Sequence, residues 1–262
     1  MVSALVLPFW PTWSNLTTEW VKWDQALGHG SLIALATVYF LFTTAIARTL
    51  SRHTASRAYA GIAITVFFVL LATLSQRVAL DAVTQLAMVG LLLGLTLVFF
   101  PEVTWLRALQ VSGLLMFCLQ AWGTLNPLLL WAASGVVGSA VSWLSIPTLI
   151  DGNSITLPHG IMVIADGCSG LRYFVIALAL GWILGITNQY KAAGILVTLL
   201  IATALALIMN WIRIYALILI GYHSEMQSSL VHEHELFGWL LFAVIVLPAL
   251  YFAPLGKSGA HQ

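Results

Sequence analysis

The chain has 262 residues, of which 61% are hydrophobic and only 7% charged, with a formal net charge of +1. A soluble domain is about a quarter charged, so this composition excludes a soluble enzyme, and the absence of a basic excess excludes a nucleic-acid binder. What remains is an all-α polytopic membrane protein. Two cysteines, Cys118 and Cys168, are too few for a disulfide framework.

Residues 1–30 are rich in tryptophan. Trp10, Trp13, Trp20 and Trp23 suit a segment lying at the membrane–water interface, and Pro8 and Pro11 are expected to break any helix there. Met1–Trp10 has no positive n-region, so no cleavable signal peptide is expected. An apolar run follows over 31–46. The 48–57 linker, with Arg48, Arg52 and Arg57, holds the densest positive charge and is expected to be cytoplasmic, which puts the N-terminus outside. Apolar runs over 58–74, 84–100 and 108–123 each approach the roughly 20 residues that cross a bilayer. Cys118, inside the last of them, reads as a small buried hydrophobe. Gly90/Gly94 and Gly181/Gly185 form GxxxG pairs, which read as close helix packing.

Residues 128–144 leave their course open, because Ser134, Gly135, Gly138, Ser139 and Ser142 dilute an apolar start. If they do not cross, Arg107, Lys191 and Lys257 fall on the side of the 48–57 linker, which is the preferred arrangement. The count is then seven crossings, or eight with this segment. Between Ile146 and Asp166, the turn formers Pro147, Asp151-Gly152-Asn153 and Pro158 separate two short strand-like stretches, Ser154–Leu157 and Ile161–Ile164. This insertion is expected to be extracytoplasmic. Helices over 170–186, 192–220 and 236–252 complete the chain. The whole reads as one integral membrane domain, 1–262. Within it lie an interfacial segment (1–30), N-terminal helices (31–145), the insertion (146–169) and helices carrying the chemistry (170–252).

Three stretches carry polar groups that apolar packing does not need. The first is Asp166-Gly167-Cys168-Ser169-Gly170-Leu171-Arg172-Tyr173. A thiolate is the nucleophile, and its formation is favoured at a helix N-terminus or beside a cation. Asp166 or Ser169 is a possible cap, Gly167 and Gly170 let backbone N–H groups approach an oxyanion, and Arg172 lies near Cys168 if the turn is helical. The plain alternative is a buried cysteine beside a glycine-rich helix start. The second is Asn210-Trp211-Ile212-Arg213. An intramembrane arginine is costly and usually functional, although it can also snorkel to headgroups. It cannot act as a base, so it would hold a substrate carboxylate or carbonyl, or steady a thiolate or oxyanion, with Asn210 one turn away to orient it. The third is the 222–235 segment, with His223, His232 and His234 and three glutamates. His234, nearest the last helix, suits a general base to Cys168 and then an acid to the leaving amine; His232 is a second candidate. A zincin His-Glu-x-x-His is missing, since Leu236 and Gly238 occupy the positions of the second His. A looser set of His223, His232, His234 and Glu225 is the remaining metal reading, and the chain is read as holding neither metal nor cofactor.

Cys168-Ser169-Gly170-Leu171-Arg172-Tyr173 resembles the cysteine motif of the exosortase/archaeosortase family of membrane transpeptidases. Asn210-x-x-Arg213 resembles its arginine motif, and His234-x-x-x-Gly238-Trp239 its histidine motif in the bacterial exosortase branch. The motifs cover about Ile146–Phe252; Gly28-His29-Gly30 resembles a further His-Gly. Glu233 stands where the closest subgroup is expected to carry Asp. The resemblance implies a membrane cysteine transpeptidase or protease with Cys168, Arg213 and His234 as its catalytic residues and Arg172, Asn210, Ser169, Gly170 and His232 in support. It further implies membrane-anchored substrates with a C-terminal PEP-CTERM-type signal, a setting in the bacterial inner membrane with the site facing the periplasm, and a link to exopolysaccharide and biofilm-matrix export. The competing reading is a transporter or flippase-like component of polysaccharide export, with Arg213, Glu225 and the histidines lining a polar path; a third is an assembly partner without chemistry. The near absence of charge in the first four helices is poor for transport.

Overall fold

A computed structural model describes residues 9–22, 27–46, 54–143, 146–164, 166–232 and 234–252, with backbone only for residues 45, 46, 54, 150, 166, 232 and 234. Trp23, Lys257, Glu233, most of the 48–57 linker and nearly all of Met1–Trp10 lie outside this description, and so do the expectations placed on them. The protein is mostly helical. Among the described residues, five helices are long and apolar enough to cross a membrane: Ala55–Arg77, Asp81–Phe99, Gln120–Ser142, Ala192–His223 and Glu235–Phe252. Gly30–Thr44, Trp105–Cys118 and Leu171–Thr187 are shorter apolar helices. The chain is a multi-pass helical membrane protein. It divides into two compact units, Met1–Ala121 with Trp182–Ala192, and Trp122–Gly181 with Ala193–Gln262.

The first unit opens with α1 (Trp10–Trp20). Pro11 does not break this helix. It sits in its first turn, where a missing N–H costs nothing. Trp20 is buried rather than interfacial: its indole N–H donates to the Cys118 carbonyl at 2.8 Å. α2 (Gly30–Ile46) follows, then α3 (Thr54–Arg77) and α4 (Asp81–Phe99). α3 and α4 pack backbone to backbone. A Cβ on Gly94 would lie 2.7 Å from the Thr65 nitrogen, one on Gly61 2.9 Å from the Gly94 carbonyl, and Gly90 faces the Phe68 ring. The Gly90/Gly94 pair is thus a packing device, with Gly61 as its unforeseen partner. α5 (Trp105–Gly113) tightens into a 3₁₀ stretch ending at Cys118, which is fully buried. Its start is capped by Thr104, whose Oγ1 accepts from the Arg107 N–H at 3.3 Å.

In the second unit, a 3₁₀ turn (Gln120–Leu125) leads into α6 (Asn126–Ser142). So residues 128–142 are helical and, with the preceding turn, long enough to cross. An antiparallel sheet follows in the order β1 (Leu149–Asp151), β2 (Ser154–Leu157), β3 (Gly160–Val163). β2 and β3 coincide closely with the anticipated strands; β1 is an addition. Ile155 and Leu157 of β2 pack with Ala133, Val137 and Val141 of α6 and with Ile214 and Ile218 of α8 (Ala192–His223), and Cys168 lies against the same cluster. α8, with 32 residues, is about 48 Å long, against a hydrocarbon layer of about 30 Å. Its last turns, at Ile214 and Ile218, are what α6 and the sheet pack upon. α7 (Leu171–Thr187), the short α9 (Ser229–His232), α10 (His234–Leu241), a π turn (Phe242–Val246) and α11 (Leu247–Phe252) complete the chain.

Three helices end alike. Leu80 N–H to Ser75 O, Tyr190 N–H to Gly185 O and Met226 N–H to Gly221 O close Schellman motifs. The residue that must turn left-handed is Ala79 (φ 54°), Gln189 (φ 54°) or Glu225 (φ 51°), none of them glycine.

Candidate active site

β3 ends at Val163, and one 3₁₀ turn, Asp166–Cys168, brings up the thiol. The chain then bends at Ser169–Gly170 and α7 starts at Leu171. Gly170 has φ +87° and caps the helix, its carbonyl accepting from the Phe174 N–H at 2.9 Å. No other residue fits: left-handed backbone is disfavoured for any residue with a Cβ, and a Cβ here would lie 2.6 Å from the Asn210 side chain. Ser169, buried, accepts from the Leu171 N–H through Oγ at 3.3 Å. Ser169 therefore serves the helix start, while the Asp166 side chain lies outside the described residues. Cys168 is half-buried. Because of the bend, residues 168–172 do not form one helical turn, and Arg172 is not set beside Cys168 by helical spacing. Its Nη1 instead lies 3.5 Å from Glu235 Oε2, with the two side chains 14% and 50% exposed.

Asn210 and Arg213 are three apart on α8 and so share a face. They are 2% and 1% exposed, and Arg213 is among the largest fully buried side chains. Burial of this order rules out snorkelling. Asn210 Nδ2 donates to the Cys168 carbonyl at 3.1 Å, while its Oδ1 accepts from Arg213 Nη1 at 3.5 Å. One amide thus ties the thiol-bearing turn to the guanidinium. The guanidinium also lies 5.4 Å from the centroid of the Tyr173 ring, within cation–π range.

The third stretch arrives on α10. Gly238 is the point of contact: a Cβ there would lie 2.7 Å from Arg213 Nε and would collide with the Tyr173 hydroxyl. The Tyr173 hydroxyl donates to the Glu235 carbonyl at 3.4 Å, and its ring packs at 5.7 Å against both Trp239 and Phe242. His234 is the first residue of α10. The side chains of His232 and His234 lie outside the described residues, and so does the expectation of a general base there. Tyr173 is the residue that sequence reasoning passed over. Arg213, Arg172, Glu235 and the Cys168 thiol are all within electrostatic reach of its phenol. The available signal was a polar-tipped aromatic in the first turn of an apolar helix, directly after a thiol and an arginine.

The model of the transmembrane exosortase family (Exosortase_EpsH) matches residues 13–251. The chain belongs to the transmembrane exosortase family. The match extends well beyond the three motifs, through both units. Neither a search of curated proteins nor a search of solved structures found a match. Membership implies, in general terms, a membrane sorting transpeptidase of the cysteine type. In this exosortase the three motif segments converge within one unit, with Asn210, Tyr173 and Gly238 as the joints between them.

Proposed function

We propose that this exosortase cleaves a C-terminal sorting signal of PEP-CTERM type through an acyl-enzyme on Cys168. The observation that carries the reading is Asn210, whose amide joins the Cys168 carbonyl to the Arg213 guanidinium. His234, one turn before Gly238 on α10, takes the thiol proton. Cys168 Sγ then adds to the scissile carbonyl carbon, and its C=O electron pair moves onto oxygen. Arg213 and the N–H groups at the start of α7 stabilise that oxyanion. As the carbonyl re-forms, the C–N bond breaks and the amine leaves with the proton held by His234, giving the thioester. An acceptor hydroxyl, amine or water gives its proton to His234 and attacks the thioester, and the proton returns to Cys168 as the C–S bond breaks.

The site is proposed to face the periplasm. Arg57 Nη1 donates to the carbonyls of Pro101, Glu102 and Val103, and Arg107 Nη1 to that of Ile186 at 3.0 Å. These residues and Lys191 form one basic end of the first unit, which the positive-inside tendency makes cytoplasmic. α7 ends at Thr187, close in sequence to Lys191, and begins beside Cys168; its 17 residues extend about 26 Å. The thiol therefore belongs at the other membrane face. α6, packed on the sheet and on the final turns of α8, is proposed to lie in that outer layer, leaving seven crossings.

The test is processing of a tagged substrate carrying a PEP-CTERM-type signal in native membranes, comparing wild type with Cys168→Ala, His234→Ala and Arg213→Ala. Loss of processing in all three at normal protein levels is the expected outcome. Processing that survives Cys168→Ala removes the nucleophile and favours the transport reading.

A further inference from the structure

The three-stranded sheet ends in an edge that nothing in the described residues covers. The Ile164 N–H donates to the Asn153 carbonyl at 2.8 Å, which sets the pairing. With Ile155 opposite Met162 and Leu157 opposite Gly160, Gly160, Met162 and Ile164 direct their N–H and C=O groups toward β2. By the alternation of an antiparallel ladder, those of Ile161 and Val163 point away from the sheet. Among the described residues these outward groups have no partner, and the two side chains are 63% and 56% exposed. A strand edge of this kind pairs with an extended chain, whose backbone carries the same row of donors and acceptors. The edge of β1 offers only the groups of Ile150, since Leu149 and Asp151 pair with β2.

Position decides between the two edges. β3 ends two residues before the Asp166–Cys168 turn, and the five Cα–Cα steps from Val163 to Cys168 reach at most about 18 Å even when extended. We propose that the outer edge of β3 is the substrate-docking strand. An extended segment of the substrate pairs with Ile161 and Val163 as a fourth strand, within about five residues of the scissile bond, and so delivers that bond to Cys168. The proposal rests on the cysteine reading above and adds where the peptide lies. The occupant is an extended peptide backbone rather than a helix or a glycan, because only that presents N–H and C=O groups in register with a strand edge.

Proline separates docking from folding. Ile161→Pro and Val163→Pro each delete one outward N–H and leave the β2–β3 bonds intact, a position where strands tolerate proline. With wild type processing the tagged PEP-CTERM-type substrate, each variant is expected to process it roughly tenfold more slowly, at unchanged protein level and unchanged alkylation of Cys168 by iodoacetamide. Processing within twofold of wild type in both variants overturns the fourth strand and leaves the cysteine reading standing. A photo-crosslinking residue at position 161 or 149 in the Cys168→Ala background needs neither catalysis nor proline tolerance. Capture from 161 of substrate residues within about five positions of the cleavage site is expected. Capture from 149 alone, or from neither, overturns the proposal. Processing by Cys168→Ala would remove the cysteine reading, and the crosslinks would still decide the docking strand.

Discussion

Gly238→Ala tests the convergence of the three stretches with a single methyl group. In the native packing that methyl would lie 2.7 Å from Arg213 Nε and closer still to the Tyr173 hydroxyl. Ordinary contact begins at 3.4 Å, so the guanidinium must retreat by about 0.7 Å and the Tyr173 hydroxyl by more. Overpacking of this kind costs about 1–3 kcal/mol, and replacing glycine by alanine inside a helix recovers about 1 kcal/mol. The expected net loss of stability is therefore only about 0–2 kcal/mol. Processing should suffer more, since a misplacement near 1 Å can cost about 10²-fold; we expect a loss of roughly 30- to 100-fold. The assays are thermal melting in detergent and processing of the tagged substrate in native membranes. Gly135→Ala is the control, because a Cβ there meets nothing within 4 Å; it should leave processing unchanged. Tyr173→Phe removes one of the three atoms struck, the hydroxyl, and keeps the ring carbon Cζ at 2.8 Å, so Gly238→Ala should cost less in that background, by about 1 kcal/mol of coupling. A Gly238→Ala protein as stable and as active as wild type would refute the reasoning.

Asn210→Ala leaves the part-buried Cys168 carbonyl without this donor, at about 0.5–1.5 kcal/mol, and should lower processing at least tenfold while the protein still inserts; pulse-chase processing beside a melt checks both. Arg213→Met keeps most of the volume but leaves the buried Asn210 Oδ1 without this donor, at about 1–3 kcal/mol, so a lowered melting temperature together with abolished processing is expected. Glu235→Gln loosens an ion pair whose glutamate is half exposed, a pair worth at most about 1 kcal/mol, and should shift melting by no more than that. Ala79→Gly and Gln189→Gly relieve left-handed backbone at φ 54° and should each stabilise by about 1 kcal/mol, measured by melting of the otherwise unaltered chain.

The three motif stretches were legible because each sets polar chemistry inside apolar sequence, where it cannot be mistaken for packing. Asn210 and Arg213 were legible as a pair because helical spacing alone puts them on one face. Tyr173 was not, since an aromatic at a helix start looks like any core residue until α8 and α10 are laid against it. The bend at Gly170 was equally hidden. Cys168 and Arg172 are four apart, which implies proximity only on a continuous helix, and φ +87° breaks that continuity. α1 was misread because proline was weighed as a breaker without asking where in the helix it stands. β1 has three residues, too few for a period to register. The course of α6 could not be read from composition, because a helix packed on a sheet and a helix in lipid both need small and apolar residues.

Placing a guanidinium at 1% exposure on a membrane helix is unfavourable by about 2.5–3.5 kcal/mol on insertion scales, so the surrounding groups must make up for lost water. Two of these groups are the amide oxygen of Asn210 and the ring of Tyr173. Through Asn210 the guanidinium is fixed on the face of α8 that meets the thiol-bearing turn. On the mechanism proposed above, a guanidinium held in this way meets negative charge developing on a carbonyl oxygen without having to reorganise. The two glycines fit the same logic. Gly170 gives room to the Asn210 amide and Gly238 to Arg213 Nε, so a side chain at either position would push the Asn210 dipole or the cation out of place.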